Sequence, residues 1–144
     1  MTKDVALIVG AGPGISASCA RLFAKSGMQV AIAARTPDKP VLQNLERMHG
    51  VRRYACDASE PAAVELLFQN VVRDLGAPRL VVHNIDGRVA GIFRKGITEA
   101  DASMALETLR NSAFSAFLVG QQAARLMREN EPGESFFFLA QGQV

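Results

Sequence analysis

The chain has 144 residues, of which 49% are hydrophobic and 21% charged, and its formal net charge is +2. This balance is typical of a globular protein, and the length fits one domain that covers residues 1–144. The basic residues are scattered, so we do not expect a nucleic-acid-binding protein. No apolar run approaches the ~20 residues of a membrane span, and the first residues lack a signal-peptide layout, so we expect a cytoplasmic protein without a membrane segment.

Two cysteines, Cys19 and Cys56, are present. Neither belongs to a CxxC pair or to a Cys/His spacing that is typical of zinc sites, so no metal site is predicted. Reduced thiols in a cytosolic protein are the expected state.

Short apolar runs alternate with amphipathic segments along the whole chain. Strands are predicted at Val5–Val9, Gln29–Ala34, Val51–Cys56, Leu80–His83 and Phe136–Leu139. Helices are predicted at Ile15–Lys25, at Val41–Met48, from a cap at Ser59 to Leu75, and from Glu99 to Met127 with Thr98 as the cap. This alternation predicts the α/β class, a doubly wound parallel sheet of the Rossmann type in three layers with strand order 3-2-1-4-5. A ligand is then expected at the carboxyl ends of the strands, between the first and fourth.

The segment between the first strand and the first helix is rich in glycine. Gly10, Gly12 and Gly14 lack a Cβ, so the main chain can approach a diphosphate closely. The helix start supplies unpaired N–H groups and the positive end of a dipole. We therefore predict that the turn binds the diphosphate of a dinucleotide, with contacts from Gly10, Gly12, Pro13, Gly14 and Ile15.

Two registers of the glycine turn are open. Gly12-Pro-Gly14-Ile-Ser-Ala17 matches the G-x-G-x-x-A fingerprint of dinucleotide-binding proteins. Gly10-Ala-Gly-Pro-Gly14-Ile-Ser16 resembles the G-x-x-x-G-x-G turn of the short-chain dehydrogenase/reductase family, with Ser16 in place of the last glycine. No G-K-[ST] follows, which disfavours a nucleoside-triphosphate P-loop.

The residues at the end of the second strand indicate which cofactor binds. NAD-selective sites commonly place a carboxylate here for the ribose 2′-hydroxyl. This chain has Arg35 and Thr36 instead, with no acid before Asp38. A guanidinium pairs with a 2′-phosphate that a carboxylate would repel. NADP(H) is therefore the predicted cofactor, with NAD as the alternative.

The resemblance to the short-chain dehydrogenase/reductase family extends over the whole chain and implies further roles. Asp57 takes the place of an aspartate that contacts the adenine amino group, although an acid there also suits a helix N-terminus. His83-Asn84-Ile85-Asp86-Gly87 resembles the family's N-N-A-G segment. Asn84 matches, whereas Ile85 and Asp86 are bulkier and are expected to narrow the pocket, and His83 is predicted to be structural. The cofactor residues that the resemblance implies are Cys56, Asp57, Ala58, Asn84, Ile85 and Asp86.

The resemblance implies an active-site asparagine in the long helix. Alignment on Phe117 places Ser112 there, and Asn111 lies one residue earlier, which is ~100° around an α-helix. Either the helix is locally shifted and Asn111 serves, or the asparagine is lost. Gln141 takes the position of the family's serine after the fifth strand. The chain's one tyrosine, Tyr54, lies in the third strand without a lysine four residues later, so it is not the family's Tyr-x-x-x-Lys tyrosine.

Three functions are therefore considered. The first is hydride exchange between NADP(H) and a small-molecule carbonyl or alcohol, with this chain as the cofactor-binding portion. The second is a catalytically inactive nucleotide-binding or regulatory module. The third is an interaction protein, because apolar residues on the long helix and an unpaired edge at the fifth strand predict a homo-oligomer. The chain is either a fragment of a longer reductase or a short natural form.

Overall fold

The structure is a computed structural model that describes residues 3–92, 94, 96–129 and 136–139, with the backbone alone described for residues 129 and 136–139. Its helices and strands alternate as the sequence predicts. They are β1 (Val5–Val9), α1 (Ile15–Lys25), β2 (Gln29–Ala34), α2 (Pro40–Glu46), β3 (Val51–Ala55), α3 (Pro61–Asp74), β4 (Pro78–His83), α4 (Ala102–Leu109), a π-helical turn (Arg110–Phe114), α5 (Ser115–Glu129) and β5 (Phe136–Leu139).

The five strands form one parallel sheet in the order β3-β2-β1-β4-β5, which confirms the predicted fold class and strand order. Every residue of β1 is buried, as is typical of a parallel strand covered on both faces. Val9 pairs with Ala33 of β2 and with His83 of β4, so these three strands end at the same level. Among the described strands, β5 is the last of this order and lies beside β4.

Two apolar cores cover the faces of the sheet. On one face Leu7 and Val9 pack with residues of α3 and α5, including Val64 and Val119. On the other face Ile8, Ile32 and Val82 pack with residues of α1 and α2, including Ala17, Ala20, Leu42 and Leu45. Neighbouring β1 residues contribute to opposite cores because successive side chains of a strand point to opposite faces.

Two predicted helix starts are wrong. α3 begins at Pro61 with Glu60 as its N-cap residue, whereas the Ser59 hydroxyl donates to the Asp57 carboxylate at 2.7 Å instead of capping the helix. α4 begins at Ala102, and its cap is Asp101 rather than Thr98. The Asp101 carboxylate accepts hydrogen bonds from the main-chain N–H groups of Ser103 and Met104, at 2.8 and 3.2 Å.

Other element ends differ by one or two residues, and the long helix is interrupted. β3 ends at Ala55, one residue before the predicted end, and β4 begins at Pro78, two residues before the predicted start. α2 covers Pro40–Glu46 rather than residues 41–48. The helix predicted from Glu99 is divided by the π-helical turn at residues 110–114, where one extra residue enters the helix.

Candidate nucleotide-binding site

An open cleft of about 450 Å³ lies where the carboxyl ends of β1, β2, β3 and β4 meet. Main-chain hydrogen bonds continue past the strand ends there: the Gly10 N–H donates to the Ala33 carbonyl at 3.0 Å, and the Asn84 N–H donates to that of Val9 at 2.8 Å. The cleft is lined by Val9, Gly10, Ala11, Ala34, Arg35, Thr36, Lys39, Cys56, Asp57, Ala58, Ser59, Asn84, Ile85, Asp86 and Asn111. It occupies the switch point between β1 and β4, where ligands of such sheets bind.

Most residues predicted from the sequence to form the site lie in this cleft. They are Gly10, Arg35, Thr36, Cys56, Asp57, Ala58, Asn84, Ile85, Asp86 and Asn111. Gly12, Pro13, Gly14 and Ile15 are not among the lining residues and form the adjoining turn, in which the last three are exposed. Sequence reasoning missed Lys39 and Ser59. Lys39 could have been found as a second cation in the loop that follows Arg35.

The glycine turn has the geometry of the G-x-x-x-G register. Gly10 and Gly14 both have positive φ, 89° and 85°, whereas Gly12 does not. A Cβ on Gly10 would lie 2.2 Å from the main-chain oxygen of Asn84, so no larger residue fits there. At Gly12, by contrast, an added Cβ would have no neighbouring atom within 4 Å. The positive φ angles therefore fall on Gly10 and Gly14, the two glycines of the G-x-x-x-G-x-G turn that this chain retains.

Ser16, which replaces the last glycine of the full family motif, connects the turn to β4. Its hydroxyl donates to the carbonyl oxygen of Gly10 at 3.0 Å and accepts from the side-chain amide of Asn84 at 2.8 Å. Ser16 is buried at the start of α1. Replacement of the motif's last glycine by Ser16 therefore does not disrupt the turn, and the serine side chain connects the turn to the residue after β4.

The start of α1 has free main-chain donors. Gly14 is the N-cap residue, and no side chain caps the helix. A Cβ on Gly14 would also meet no atom within 4 Å, so the space above the turn is open. Unpaired N–H groups, the positive end of an eleven-residue helix and open space together fit an anionic diphosphate.

The edge of the cleft at the end of β2 is basic. Arg35 and Lys39 line it and are exposed, with Thr36 between them in the same loop. The nearest acid in the sequence, Asp38, accepts a hydrogen bond from Arg53 at 3.2 Å and is not a lining residue. In the described part of the chain, no salt bridge involves Arg35 or Lys39. Both cations are thus available to an anionic ligand.

Asp57 is held in its ionised form at the end of β3. The Ser59 hydroxyl and main-chain N–H donate to its carboxylate at 2.7 and 3.0 Å. These bonds, with the charges of Arg35 and Arg110, lower the pKa of Asp57 below its ordinary value of 3.8. One carboxylate oxygen, Oδ1, accepts both bonds from Ser59, which leaves the other oxygen of this lining residue with acceptor capacity.

The segment after β4 shapes the opposite wall. The side chain of Ile85 lies so close to Gly10 that a Cβ there would be 2.6 Å from its Cγ1 atom. Asp86 accepts from the Arg88 guanidinium through both carboxylate oxygens, at 2.7 and 2.6 Å. These hydrogen bonds lower the pKa of Asp86 below its ordinary value. Both residues line the cleft, and they are the bulkier side chains that the sequence analysis expected to narrow the pocket.

The π-helical turn places Asn111, not Ser112, at the cleft. The main chain and Cβ of Ser112 lie against Gly87, where a methyl group would be within 2.7 Å of them, and its hydroxyl donates to the Thr108 carbonyl at 2.6 Å. Of the two alternatives for this helix, the local shift is therefore the one that the structure has. Gln141 lies outside the described residues.

Tyr54 lies outside the cleft, at the contact between β3 and α3. Its hydroxyl donates to the Asp74 carboxylate at 3.2 Å, which joins β3 to α3, and it is not a lining residue. Burial and the neighbouring Asp74 charge raise the pKa of Tyr54 to about 12. The structural role predicted for this tyrosine agrees with its position.

Within the described ranges, no helix combines the length and apolar character needed to cross a membrane. Over those same residues, no three His, Cys, Asp or Glu side chains are grouped so that they could hold a metal ion. Cys19 and Cys56 are both free thiols. Burial and the Asp57 charge raise the pKa of Cys56 to about 11, so the thiol in the cleft wall is protonated at neutral pH.

The sheet order, the glycine turn and a cleft at the switch point define a Rossmann-type α/β fold. Residues 10–139 match the protein family described as enoyl-(acyl carrier protein) reductase. The chain belongs to the short-chain dehydrogenase/reductase family of oxidoreductases, which confirms the resemblance noted in the sequence.

Individual relatives are similar over most of this chain. The mitochondrial borneol dehydrogenase of Lavandula x intermedia is 30% identical over 129 residues, which cover 90% of this chain and 48% of that protein. A short-chain type dehydrogenase/reductase from Mycobacterium marinum has a TM-score of 0.84 at 24% identity, covering 96% of this chain and 55% of that one. A point variant of actinorhodin polyketide ketoreductase with NADPH has a TM-score of 0.78 at 26% identity, covering 90% and 51%. The chain spans from a quarter to about half the length of the curated relatives it matches.

Proposed function

We propose that this chain is the cofactor-binding part of an NADP(H)-dependent oxidoreductase that acts on a small-molecule carbonyl or alcohol. The observation that carries the proposal is the pair of exposed cations, Arg35 and Lys39, on the cleft edge that ends β2. A 2′-phosphate distinguishes NADP from NAD, and two cations after β2, where NAD-selective sites commonly have a carboxylate, favour NADP. The actinorhodin ketoreductase, a relative with NADPH, is consistent with the same cofactor.

Each part of the dinucleotide has a counterpart in the cleft or in the adjoining glycine turn. The glycine turn and the first N–H groups of α1 bind the diphosphate, Arg35 and Lys39 pair with the 2′-phosphate, and Asp57 accepts from the adenine amino group. Ile85 and Asn111 lie on the β4 side, where the nicotinamide half would extend. When bound, the cofactor supplies or accepts a hydride.

The test is a fluorescence titration of the purified chain with NADPH and with NADH. The wild-type chain is expected to bind NADPH more tightly. Arg35→Asp is expected to weaken NADPH binding by about tenfold or more, because one charge-assisted contact is replaced by repulsion, and to leave NADH binding equal or tighter. Arg21→Asp makes the same change in net charge at an exposed position of α1 outside the cleft and should leave both affinities unchanged.

Failure to bind either nucleotide would overturn the proposal as a whole. Binding of both with a preference that Arg35→Asp does not change would remove only the 2′-phosphate assignment.

A second candidate is nucleotide binding without turnover. It is supported by the position of Tyr54, the one tyrosine in these 144 residues, whose hydroxyl is bound to Asp74 outside the cleft. This candidate predicts saturable NADPH binding and no NADPH consumption with a panel of ketones and aldehydes. Consumption with any of them would exclude it.

Self-association is a further proposal. Four large apolar side chains are exposed on α4, the π-helical turn and α5, and the rings of Phe114 and Phe117 stack with centroids 6.4 Å apart. Such a patch favours contact with a second copy of the chain. Light scattering should show a dimer or larger assembly that Phe117→Glu dissociates and that Leu22→Glu, at an exposed apolar position of α1, does not.

A further inference from the structure

A buried pair of polar side chains connects the end of β4 to the start of α5. His83, the last residue of β4, is 1% exposed, and Ser115, the first residue of α5, is fully buried. The Nε2 atom of His83 is 2.8 Å from the Ser115 hydroxyl oxygen. Neither residue lines the cleft. Polar groups cost free energy when they are buried, so a fully enclosed imidazole and hydroxyl call for an explanation beyond packing.

The Ser115 hydroxyl also contacts the π-helical turn. Its oxygen is 2.6 Å from the carbonyl oxygen of Asn111 and 2.9 Å from that of Ser112. Two acceptor oxygens at 2.6 Å repel unless a hydrogen lies between them, so the single hydroxyl hydrogen points to the Asn111 carbonyl. The hydroxyl oxygen then accepts from His83, which places the imidazole proton on Nε2.

This arrangement replaces a hydrogen bond that the π-helical turn removes. In an α-helix the Ser115 N–H would donate to the carbonyl of Asn111, four residues earlier. Here that N–H donates to the carbonyls of Arg110 and Ser112 instead. The Ser115 hydroxyl donates to the Asn111 carbonyl in place of the main-chain N–H. The hydroxyl oxygen in turn accepts from His83 of β4.

The position of Asn111 depends on this turn. An α-helix places adjacent residues ~100° apart, so the extra residue of a π-turn decides whether Asn111 or Ser112 is directed to the cleft. We infer that His83 and Ser115 are positioning residues, which stabilise the π-helical turn and thereby hold Asn111 against the β4 side of the bound nucleotide. The inference rests on the proposed nucleotide-binding function.

The first experiment measures affinity for two ligands, NADPH and 2′,5′-ADP, which represents the adenosine half with its 2′-phosphate. Ser115→Ala and His83→Leu are each expected to weaken NADPH binding by about tenfold, the equivalent of one hydrogen bond, and to leave 2′,5′-ADP binding within about twofold. Ser115→Thr and His83→Gln retain a hydroxyl and an N–H donor, and either should restore NADPH affinity. The control is Ser26→Ala, which removes a similar hydroxyl-to-carbonyl bond, to Leu22 at 2.9 Å, at the end of α1.

A double-mutant cycle tests whether Ser115 acts through Asn111. If it does, Ser115→Ala should cause no further loss of NADPH affinity in a chain that already carries Asn111→Ala. Additive losses, or parallel losses for NADPH and 2′,5′-ADP, would overturn the inference, because they would show a general effect on the fold.

A measurement without ligand separates this inference from the proposed function. The side-chain amide resonances of Asn111 should shift in Ser115→Ala and His83→Leu and stay in place in Ser26→Ala. If the wild-type chain bound neither ligand, the proposed function would fail, yet these resonances would still show whether the pair positions Asn111. If the Asn111 amide resonances did not change in Ser115→Ala and His83→Leu, the inference would be wrong even if the chain binds NADPH.

Discussion

The side-chain amide nitrogen of Asn84 lies 2.8 Å from the hydroxyl oxygen of Ser16, which in turn donates to the carbonyl oxygen of Gly10 at 3.0 Å. This chain of hydrogen bonds joins the end of β4 to the glycine turn after β1. It therefore connects the two sides of the cleft at the switch point.

Removal of the Ser16 hydroxyl should destabilise the fold. Ser16→Ala is expected to lower the free energy of unfolding by about 1–2 kcal/mol, because the Asn84 amide and the Gly10 carbonyl both lose their hydrogen bond to the buried Ser16 hydroxyl. Urea denaturation measures the change. Ser18→Ala, at an exposed position of the same helix, should stay within about 0.5 kcal/mol of the wild type. Equal effects of the two substitutions would contradict the role given to Ser16.

Gly10 and Gly12 should respond differently to the same added methyl group. Gly10→Ala is expected to destabilise the chain by about 3 kcal/mol or more, since its φ is +89° and the new Cβ would lie 2.2 Å from the Asn84 carbonyl oxygen. Gly12→Ala meets no atom within 4 Å and should leave thermal stability nearly unchanged. If the diphosphate lies over this turn, Gly12→Ala should nevertheless weaken NADPH binding. If Gly12→Ala bound NADPH with unchanged affinity, the diphosphate could not lie over this turn.

Lys39 should contribute to NADPH affinity and not to NADH affinity. Lys39→Met removes one of the two cations at the end of β2 and is expected to weaken NADPH binding by roughly threefold to tenfold. The difference between wild type and variant should shrink as salt is added, because both cations are exposed and their attraction is screened. Lys25→Met, at an exposed site outside the cleft, is the control and should change neither affinity.

Stability should fall when the pH drops below about 6.5, the ordinary pKa of histidine. Burial lowers the pKa of His83 in the folded chain, so between that lowered value and 6.5 the unfolded chain binds a proton that the folded chain does not. Protonation then favours unfolding, and the stability present above pH 6.5 is lost as the pH falls through this range. Urea denaturation between about pH 8 and pH 5.5 should show a smaller decrease for His83→Gln than for the wild type. The same decrease in both chains would assign the pH dependence to other groups.

Much of the fold could be predicted from local sequence patterns. The bounds of β1, α1, β2 and β5 agree with the prediction, because uninterrupted apolar runs and a helix-ending glycine define them without reference to distant residues. The strand order also agrees, since right-handed crossovers between parallel strands leave few alternatives.

The helix starts show where local patterns were insufficient. Ser59 and Thr98 are residue types that cap helices, yet α3 and α4 begin after Glu60 and Asp101. Several side chains near each start can accept from a main-chain N–H. Whether one of them does so depends on the direction in which the chain enters the helix, and the local sequence does not specify that direction.

By itself the sequence determined the glycine turn, the cation Arg35 and the acid Asp57, because each closely follows a strand whose end must lie at the cleft. Only the tertiary structure decided that Asn111 rather than Ser112 faces this cleft. The π-helical turn that brings it there is held by a contact between Ser115 and His83, 32 residues earlier in the chain. Helical periodicity contains no information about a partner on a separate strand, so this choice is made when α5 packs on the sheet.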